Sequence, residues 1–245
     1  MITFLNKQNT VKEIINSENL ALIKVNASKK FIPGQFFEVS IKGKGSTPIS
    51  VSSNSKYLEL IFPKNCDFRK TLSQCKPGDI IDLTGPHGNG YPITDFFDKN
   101  LVLIAEGYGV SSIKSIIEYV DFARLKFKEV KIILSGCLKN SLFADDIKKW
   151  ETNYHLSFFE LDKELDLNID WDINQRVLVL SGSSKWVDSV VEQIKDKFLE
   201  ENIWLNYECK MQCTDGECKE CAIGSKYVCR DGPIFSYKEI NKEKK

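Results

Sequence analysis

The fold is decided by the stretch Leu101-Val-Leu-Ile-Ala-Glu-Gly-Tyr-Gly109, in which an apolar run leads directly into two glycines. A continuous apolar run of this length is typical of a strand that is buried on both faces of a sheet. After the glycines, apolar residues recur at helical spacing from Ser112 to Leu125 and predict a helix. A strand, a glycine turn and a helix in this order predict a parallel α/β unit, whose turn amides can receive a pyrophosphate.

The same alternation continues towards the C-terminus and predicts a parallel sheet wound on both faces. The acidic, polar stretch Asp162–Asn174 interrupts the pattern and is interpreted as a surface loop. The predicted strands are Val130–Leu134, Leu156–Leu161 and Val177–Leu180, and the predicted helices are Asn140–Trp150 and Trp186–Phe198.

The first hundred residues show a different pattern, in which short β-rich runs are separated by glycine, proline and asparagine. Several short strands at this spacing predict a small antiparallel barrel. The predicted fold class is therefore an N-terminal antiparallel β-barrel followed by a doubly wound α/β domain. The predicted barrel strands are Val11–Ile15, Leu20–Val25, Phe36–Ile41, Ile49–Ser53, Tyr57–Phe62 and Ile80–Leu83.

Composition excludes several classes of protein. The chain has 245 residues, 42% of them hydrophobic, which suffices for two packed domains and a small appendage. The 34 basic residues balance the 34 acidic ones, so nucleic acid is not expected as the main partner. The N-terminus lacks the pattern of a signal peptide, and the apolar runs are too short to span a bilayer, so we expect a cytoplasmic protein without a membrane partner.

Five of the eight cysteines lie between Cys209 and Cys229. Four of them follow the spacing Cys213-x4-Cys218-x2-Cys221-x7-Cys229, which is typical of plant-type 2Fe–2S sites. We predict that these four thiolates bind a 2Fe–2S cluster and that Cys209 is a bystander. The alternative is a structural zinc site, although zinc is usually held by two paired knuckles and only one is present here.

The residues around these cysteines resemble a known family. The segment from Glu208 to Cys221 reads E-C-K-M-Q-C-T-D-G-E-C-K-E-C, and Cys229 opens the segment C-R-D-G-P-I-F. Both resemble the C-terminal domain of the electron-transfer subunit of class 1B dihydroorotate dehydrogenase, which carries E-x-x-M-x-C-x-x-G-x-C-x-x-C and C-x-D-G-P-V-F. The loop of seven residues before Cys229 is shorter than is usual in that family.

Four other motifs extend the resemblance over essentially the whole chain. Thr47–Ser50 resembles the R-P-I-S segment at which this ferredoxin-reductase-like family binds FAD, and Ala105–Val110 lies where the family has G-G-G-x-G-V. Lys76–Asp79 and Gly85–Tyr91 resemble its K-P-G-D and G-P-L-G-N-G-F turns. The resemblance implies an FAD-binding barrel at residues 1–97, an NAD(P)-binding domain at 98–206 and a 2Fe–2S domain at 207–245.

The resemblance also implies which residues bind each group. No acid–base residue is needed for electron transfer, so no catalytic residue is predicted, and His87 is interpreted as a solvated loop residue. The predicted FAD contacts are Thr47, Pro48, Ile49, Ser50, Ile61, Phe62, Pro63, Phe68 and Arg69; the predicted NAD(P) contacts are Gly107, Gly109, Val110, Gly182 and Ser183; the predicted cluster ligands are Cys213, Cys218, Cys221 and Cys229.

The chain departs from the family at both nucleotide sites. Thr47 replaces the arginine that faces the FAD diphosphate, and Phe68 replaces a glycine nearby. We hypothesise that Arg69 supplies the missing positive charge. In the other motif Glu106 and Tyr108 replace small residues, and a carboxylate near a pyrophosphate is unfavourable unless it points away.

The function implied by the resemblance is electron transfer between NAD(P)H and a partner enzyme, by way of FAD and the cluster. In the family the partner is an FMN-containing catalytic subunit that oxidises dihydroorotate within a heterotetramer, as part of pyrimidine biosynthesis. Related subunits serve sulfide dehydrogenase and transhydrogenase complexes. Two further alternatives are a non-catalytic iron–sulfur module with degraded nucleotide sites and a free-standing NAD(P)H:ferredoxin-type reductase.

Overall fold

A computed structural model describes residues 9–27, 29–53, 55–136, 142–159, 165, 167, 169–208, 211 and 213–243. These residues form a closed barrel, a six-stranded sheet with helices on both faces, and a C-terminal segment that packs against both. Within these ranges, none of the helices is long and apolar enough to cross a membrane.

The N-terminal barrel is closed and antiparallel, with strand order β1-β2-β5-β4-β3-β6. Alternating apolar residues of its strands point inwards and form one buried cluster, as the period of two in a strand requires. The prediction of a small antiparallel barrel is confirmed. Its strands are β1 (Asn9–Asn16), β2 (Leu20–Asn26), β3 (Phe36–Ile41), β4 (Gly45–Ser53), β5 (Leu58–Pro63) and β6 (Ile80–His87), and the short helix α1 (Asp67–Leu72) lies between β5 and β6.

The second sheet has the order β14-β11-β10-β7-β8-β9 and is parallel except for β14. Helices α2 and α3 pack on one face and α4 on the other, so the predicted doubly wound sheet is confirmed. The strands are β7 (Asn100–Glu106), β8 (Val130–Ser135), β9 (His155–Phe159), β10 (Arg176–Ser183), β11 (Ile203–Glu208) and β14 (Ile234–Ser236), and the helices are α2 (Val110–Phe122), α3 (Ala144–Asn153) and α4 (Ser184–Ile194).

The C-terminal segment does not stand apart from the sheet. It contains a two-stranded hairpin, the short helix α5 and the terminal helix α6, and between these helices β14 pairs antiparallel with β11. The domain boundaries at 97/98 and 206/207 stay predictions, although β11 runs across the second of them. The remaining elements are β12 (Ala222–Ile223), β13 (Lys226–Tyr227), α5 (Val228–Asp231) and α6 (Tyr237–Glu243).

The polar stretch interpreted as a surface loop is partly buried. Leu165 and Leu167 lie in the core beneath α4, with 6% and 0% of their surface exposed. The interpretation as a surface loop is therefore wrong for these two residues. Two isolated leucines show no periodicity in the sequence, and only the tertiary fold provides an apolar surface that covers them. Other residues of Asp162–Asn174, and the start of the helix predicted at Asn140–Trp150, lie outside the described residues.

A buried ion network joins the barrel to the α/β domain. The Lys114 ammonium of α2 lies 2.9 Å from a Glu59 oxygen of β5 and 2.9 Å from an Asp146 oxygen of α3. Burial acts to lower the pKa of Lys114, but the two carboxylates outweigh it and hold that pKa above its ordinary value. The network therefore ties β5 of the barrel to α2 and α3 of the α/β domain, and removal of its central charge would leave the carboxylates uncompensated.

Candidate functional site

A narrow cleft lies where the barrel meets the carboxyl edge of the sheet. One wall comes from β4, β5 and α1 of the barrel, and the other comes from the start of α2, from β11 and from the C-terminal segment. Seven of the nine predicted FAD residues line this cleft. The lining residues are Pro48, Ile49, Ser50, Ile61, Phe62, Pro63, Arg69, Tyr108, Ser111, Asn206, Tyr207, Met211 and Pro233.

The guanidinium of Arg69 is held at this cleft by three neutral acceptors. Its Nε donates to Thr47 Oγ1 at 3.2 Å, and its terminal nitrogens donate to Pro48 O and Asn65 Oδ1, each at 3.2 Å. Because none of these acceptors is charged, the positive charge of Arg69 is not neutralised by them. A fixed guanidinium beside Thr47 fits the diphosphate of a dinucleotide in charge and in hydrogen-bonding geometry.

Phe68 lies next to Arg69 on α1 but outside the cleft lining. An ideal Cβ on Gly45 would lie 3.4 Å from its ring, and the ring packs against the apolar core of the barrel. The predicted direct contact between Phe68 and FAD stays a prediction. The packing of Phe68 explains why α1 can present the neighbouring Arg69 towards Thr47.

Buried polar residues of the sheet form the far wall of the cleft. The Tyr207 hydroxyl donates to Asp188 at 2.9 Å, and Asn206 Nδ2 donates to Ser181 Oγ at 3.2 Å. Burial, with a smaller contribution from Asp188, raises the pKa of Tyr207 above its ordinary value, so the phenol stays protonated. These hydrogen bonds fix the orientation of the side chains that face Pro48–Ser50.

Strands β7 and β10 end side by side at the carboxyl edge of the sheet, and we call the space above their ends the nucleotide crevice. These strands are neighbours, although β8 and β9 extend the sheet in one direction and β11 in the other. Such a reversal of strand order is the place where open α/β sheets bind nucleotides. An ideal Cβ on Gly109 would lie 2.4 Å from Ser181 O, so only glycine permits this approach of the turn to β10.

The predicted nucleotide residues surround this crevice, with one exception. Gly107 has φ +55° and open space where a side chain would lie, while Gly182 is packed against the Trp186 ring. These glycines fit the close approach of a pyrophosphate to the backbone. Val110 is fully buried in the core, so its side chain supports the turn from beneath.

Glu106 introduces a carboxylate into the same crevice. Ser183 Oγ donates to Glu106 Oε2 at 3.0 Å, so the carboxylate and hydroxyl form a bridge between the ends of β7 and β10. The Glu106 side chain does not cap the turn that follows it. The crevice therefore has the backbone of a nucleotide site but a charge that does not fit an anionic ligand.

The four cysteines predicted as cluster ligands are arranged as two pairs. The Cys218 amide donates to Cys213 Sγ at 3.4 Å, and the Cys229 amide donates to Cys221 Sγ at 3.4 Å. In the first pair Cys218 is exposed and Cys213 is half-buried, whereas Cys221 and Cys229 are buried. Two thiolate pairs are the donor set of a rhombic cluster with two irons, each iron taking two cysteines.

The electrostatics of the cysteines agree with a shared site. Burial and the neighbouring thiols of Cys221 and Cys213 raise the pKa of Cys229 to about 12. At the surface, hydrogen bonding to Asp215 opposes ionisation of Cys213, but the backbone amide of Cys218 helps to hold the pKa of Cys213 below its ordinary value. Within the described ranges, no three His, Cys, Asp or Glu side chains converge on a point that could hold a single metal ion.

The loop around the first pair is tightly curled. Thr214, Gly216 and Lys219 all have φ between +62° and +88°, which is uncommon for residues other than glycine. These backbone conformations let the loop turn back tightly enough for the Cys218 amide to reach Cys213 Sγ.

Comparison with known proteins supports the same assignment for this segment. Residues 208–241 match the family model of the iron–sulfur cluster binding domain of dihydroorotate dehydrogenase B. The segment is similar to the iron–sulfur domain of this family. The resemblance recognised in the sequence is therefore confirmed.

The rest of the chain is similar to subunits of larger enzymes. Sulfhydrogenase 1 subunit gamma of Pyrococcus furiosus is 27% identical over 235 residues, covering 86% of this chain and 80% of that protein. A probable dihydroorotate dehydrogenase B (NAD(+)) electron transfer subunit of the same organism is 26% identical over 231 residues, covering 91% of this chain and 87% of that protein.

Solved structures confirm the fold. The structure of an NADH-dependent reduced ferredoxin-NADP oxidoreductase superposes with a TM-score of 0.76 at 19% identity and covers 97% of this chain and 92% of that chain. A ferredoxin NADP+ reductase from Neisseria gonorrhoeae, solved with bound FAD and NADP, gives a TM-score of 0.66 at 16% identity and covers 82% of this chain and 97% of that chain. At these identities the similarity is one of fold.

The iron–sulfur domain is clamped to the barrel by Asn89. Its Nδ2 donates to Ile234 O at 2.6 Å and to Asp231 O at 3.3 Å, while its Oδ1 accepts from the Ile234 amide at 3.3 Å. The Asn89 amide also donates to Gly232 O at 2.9 Å. These bonds hold the turn that follows Cys229, a predicted cluster ligand, against the barrel.

His87 is the last residue of β6, directly before the same loop, and is half-buried. Its ring centroid lies 5.6 Å from that of Phe36, and its Nε2 is buried without a hydrogen-bond partner among the described residues. The interpretation of His87 as a solvated loop residue is wrong, because β6 extends further than predicted and carries His87 into a pair with Phe36.

Several cleft residues were missed by the analysis of the sequence. Met211 and Pro233 belong to the motifs that indicate the cluster. The same motifs could have indicated their position in the flavin cleft. Tyr108 was read only as a departure at the nucleotide turn. Ser111, Asn206 and Tyr207 carry no local pattern, because only the packing of the sheet against the barrel brings them to the cleft.

Proposed function

We propose that this protein is an electron-transfer subunit, which passes electrons between NAD(P)H and a partner oxidoreductase through FAD and a 2Fe–2S cluster. One observation carries the proposal. The cleft lined by the flavin motif Pro48–Ser50 is also lined by Met211 and Pro233 of the iron–sulfur segment. A flavin in this cleft would lie beside the cluster domain, as electron transfer between the two groups requires.

The residues present fit FAD. Arg69 would hold the diphosphate, and Pro48, Ile49 and Ser50 would lie along the flavin ring. Ile61 and the ring of Phe62 provide apolar surface that excludes water from the cleft. Bound FAD supplies the exchange between the two-electron chemistry of a nicotinamide and the one-electron chemistry of an iron–sulfur cluster.

The iron–sulfur domain places its ligands at two depths. Cys221 directly precedes β12 and Cys229 lies in helix α5, and both are buried, whereas Cys218 is exposed. A cluster held by both pairs would reach from the interior of the protein to its surface. Electrons would thus enter from the side of the cleft and leave at a surface that a partner protein can approach.

The partner that we propose is the FMN-containing catalytic subunit of dihydroorotate dehydrogenase, in a heterotetramer that serves pyrimidine biosynthesis. The match of residues 208–241 supports this partner. The similarity to a sulfhydrogenase gamma subunit favours a second candidate, an electron-transfer subunit of another multi-subunit oxidoreductase. Nothing among the described residues resembles a site for dihydroorotate itself, so the terminal substrate would belong to the partner.

The test is an absorption spectrum of anaerobically purified protein before and after addition of NADH and, separately, of NADPH. We expect flavin bands with a broad iron–sulfur shoulder, both of which bleach on reduction. Metal analysis should give two irons and no zinc per chain. A colourless protein that contains one zinc would contradict the proposal. Addition of a dihydroorotate dehydrogenase catalytic subunit with dihydroorotate should reduce the same bands and separates the two candidate partners.

A further inference from the structure

A hydrogen bond between Glu106 and Ser183 joins the ends of two neighbouring strands at the place where a nicotinamide dinucleotide is expected. Glu106 ends β7 and Ser183 ends β10, and the strand order reverses between these two strands. A dinucleotide bound at such a reversal places its pyrophosphate against the turn that follows the first strand. Here that turn begins at Gly107, directly after the carboxylate.

The Glu106 carboxylate has no compensating cation among the described residues. Its partner Ser183 is neutral, and Glu106 takes part in none of the ion pairs between described residues. A carboxylate at the start of a helix is favourable for the helix, but the side chain makes no capping bond here. The side chain instead reaches across the crevice to β10.

The other wall of the crevice is built for close approach of a ligand. An ideal Cβ at Gly136, after β8, would lie 3.9 Å from the Gly107 amide, and among the described residues other than its chain neighbours none has an atom within 4 Å of an ideal Cβ at Gly107. The backbone therefore leaves room for a pyrophosphate, while Glu106 adds a negative charge to the same place. The shape of the site therefore suits a pyrophosphate, whereas its charge does not.

We propose that Glu106 is a specificity-determining residue, which weakens the binding of nicotinamide dinucleotides at this crevice through charge repulsion. The inference rests on the proposed function and deepens it. With a weakened nucleotide site, the flavin exchanges electrons with nicotinamide only at high nucleotide concentration, and a redox protein partner becomes the favoured source or recipient of electrons. Ser183 acts as a positioning residue that holds the carboxylate across the crevice.

The experiment measures binding of NAD+ and NADP+ to the oxidised holoprotein by isothermal titration calorimetry, so that no electron transfer interferes. Glu106→Gln keeps the size of the side chain and an oxygen that can accept from Ser183, but removes the charge. We expect it to tighten binding of both nucleotides about tenfold or more, as removal of one repulsive charge at short range implies. The matched control Glu151→Gln, which removes a charge from the exposed side of α3, should leave both affinities unchanged.

Salt separates a charge effect from a structural one. If repulsion is the cause, added sodium chloride should narrow the gap between wild type and Glu106→Gln, because screening weakens the repulsion in the wild type. Equal or weaker binding by Glu106→Gln, or failure of both proteins to bind either nucleotide, would overturn the inference. The flavin and cluster absorption of the same samples reports separately on the proposed function, since neither group contacts Glu106 in the proposed arrangement.

Discussion

The flavin cleft and the nucleotide crevice both depart from the motifs of the family they resemble, and the structure resolves the two departures differently. In the cleft, Thr47 replaces an arginine, but Arg69 reaches the same place from α1 and donates to the Thr47 hydroxyl. In the crevice, Glu106 adds a charge, and its partner among the described residues is the neutral Ser183. A motif residue that is lost can thus be replaced by a residue from another element of the fold. An added charge, in contrast, stays uncompensated unless another element provides the opposite charge.

The cleft can transfer electrons only if the neighbouring cysteines bind an iron–sulfur cluster. Substitution of one of these cysteines should have the largest effect of those proposed here. Cys221→Ser removes a buried thiolate from the inner pair, and we expect loss of the iron–sulfur shoulder with retention of the flavin bands. Iron content per chain and the absorption spectrum measure both. Cys66→Ser, at an exposed cysteine of the barrel, is the control and should keep the cluster. Retention of two irons in Cys221→Ser would refute the ligand assignment.

Substitution of Lys114 tests how strongly the ion network stabilises the arrangement of the two domains around the cleft and the crevice. Lys114→Ala leaves Glu59 and Asp146 without their shared cation, and we expect unfolding to require about 2–4 kcal/mol less free energy. Urea denaturation followed by circular dichroism measures this loss. Lys149→Ala removes a more exposed ion pair with Asp121 and should cost less than about 1 kcal/mol.

The pH dependence of that loss has a defined sign. Because the pKa of Lys114 is raised in the folded protein above its ordinary value of 10.5, the stabilising contribution is fully present below pH 10.5. It is lost as the pH rises through the folded-state pKa. The difference between wild type and Lys114→Ala should therefore stay constant at neutral pH and shrink only in strongly alkaline solution. A difference that shrinks between pH 6 and 8 would show that another group is responsible.

Substitution of Arg69 tests whether this residue replaces the positive charge that is missing at Thr47. Arg69→Ala should weaken FAD binding about tenfold to a hundredfold, because a charged hydrogen-bonding group facing a phosphate contributes about 1.5–3 kcal/mol. Titration of apoprotein followed by quenching of flavin fluorescence measures the affinity. Riboflavin, which has no phosphate, should bind wild type and Arg69→Ala equally, and Arg69→Lys should lie between them. An equal loss of riboflavin affinity would mean that Arg69 supports the fold of the cleft and not the diphosphate.

The smallest expected effect concerns the clamp between barrel and iron–sulfur domain. Asn89→Ala removes three side-chain hydrogen bonds to the turn after Cys229, and we expect a loss of about 1–2 kcal/mol in stability. The turn would then be held less firmly, so electron transfer from reduced flavin to cluster should slow in stopped-flow absorption while flavin affinity stays unchanged. Asn89→Asp keeps one acceptor and should show a partial effect. An unchanged transfer rate would show that the clamp does not position the cluster.

Much of this protein was determined by local sequence. The run Leu101–Ala105 is buried because a strand at the centre of a parallel sheet is covered on both faces, and its burial is read directly from five successive apolar residues. The iron–sulfur character of the C-terminal segment follows from the cysteine spacing between Cys213 and Cys229, and the match of residues 208–241 confirms it, while the four ligands stay a prediction. The barrel strands likewise follow from their alternation.

Only the tertiary structure decided where charges meet. The sequence supports only a hypothesis that Arg69 supplies the missing positive charge. In the structure Arg69 donates a hydrogen bond to Thr47, because Phe68 of α1 packs onto the barrel. The pairing of Glu106 with Ser183 joins strands that are distant in the chain, and the burial of Leu165 and Leu167 depends on α4. The physical reason is common to all three: periodicity and spacing report on backbone geometry within one element, whereas electrostatic compensation and burial of isolated side chains depend on which elements the fold brings together.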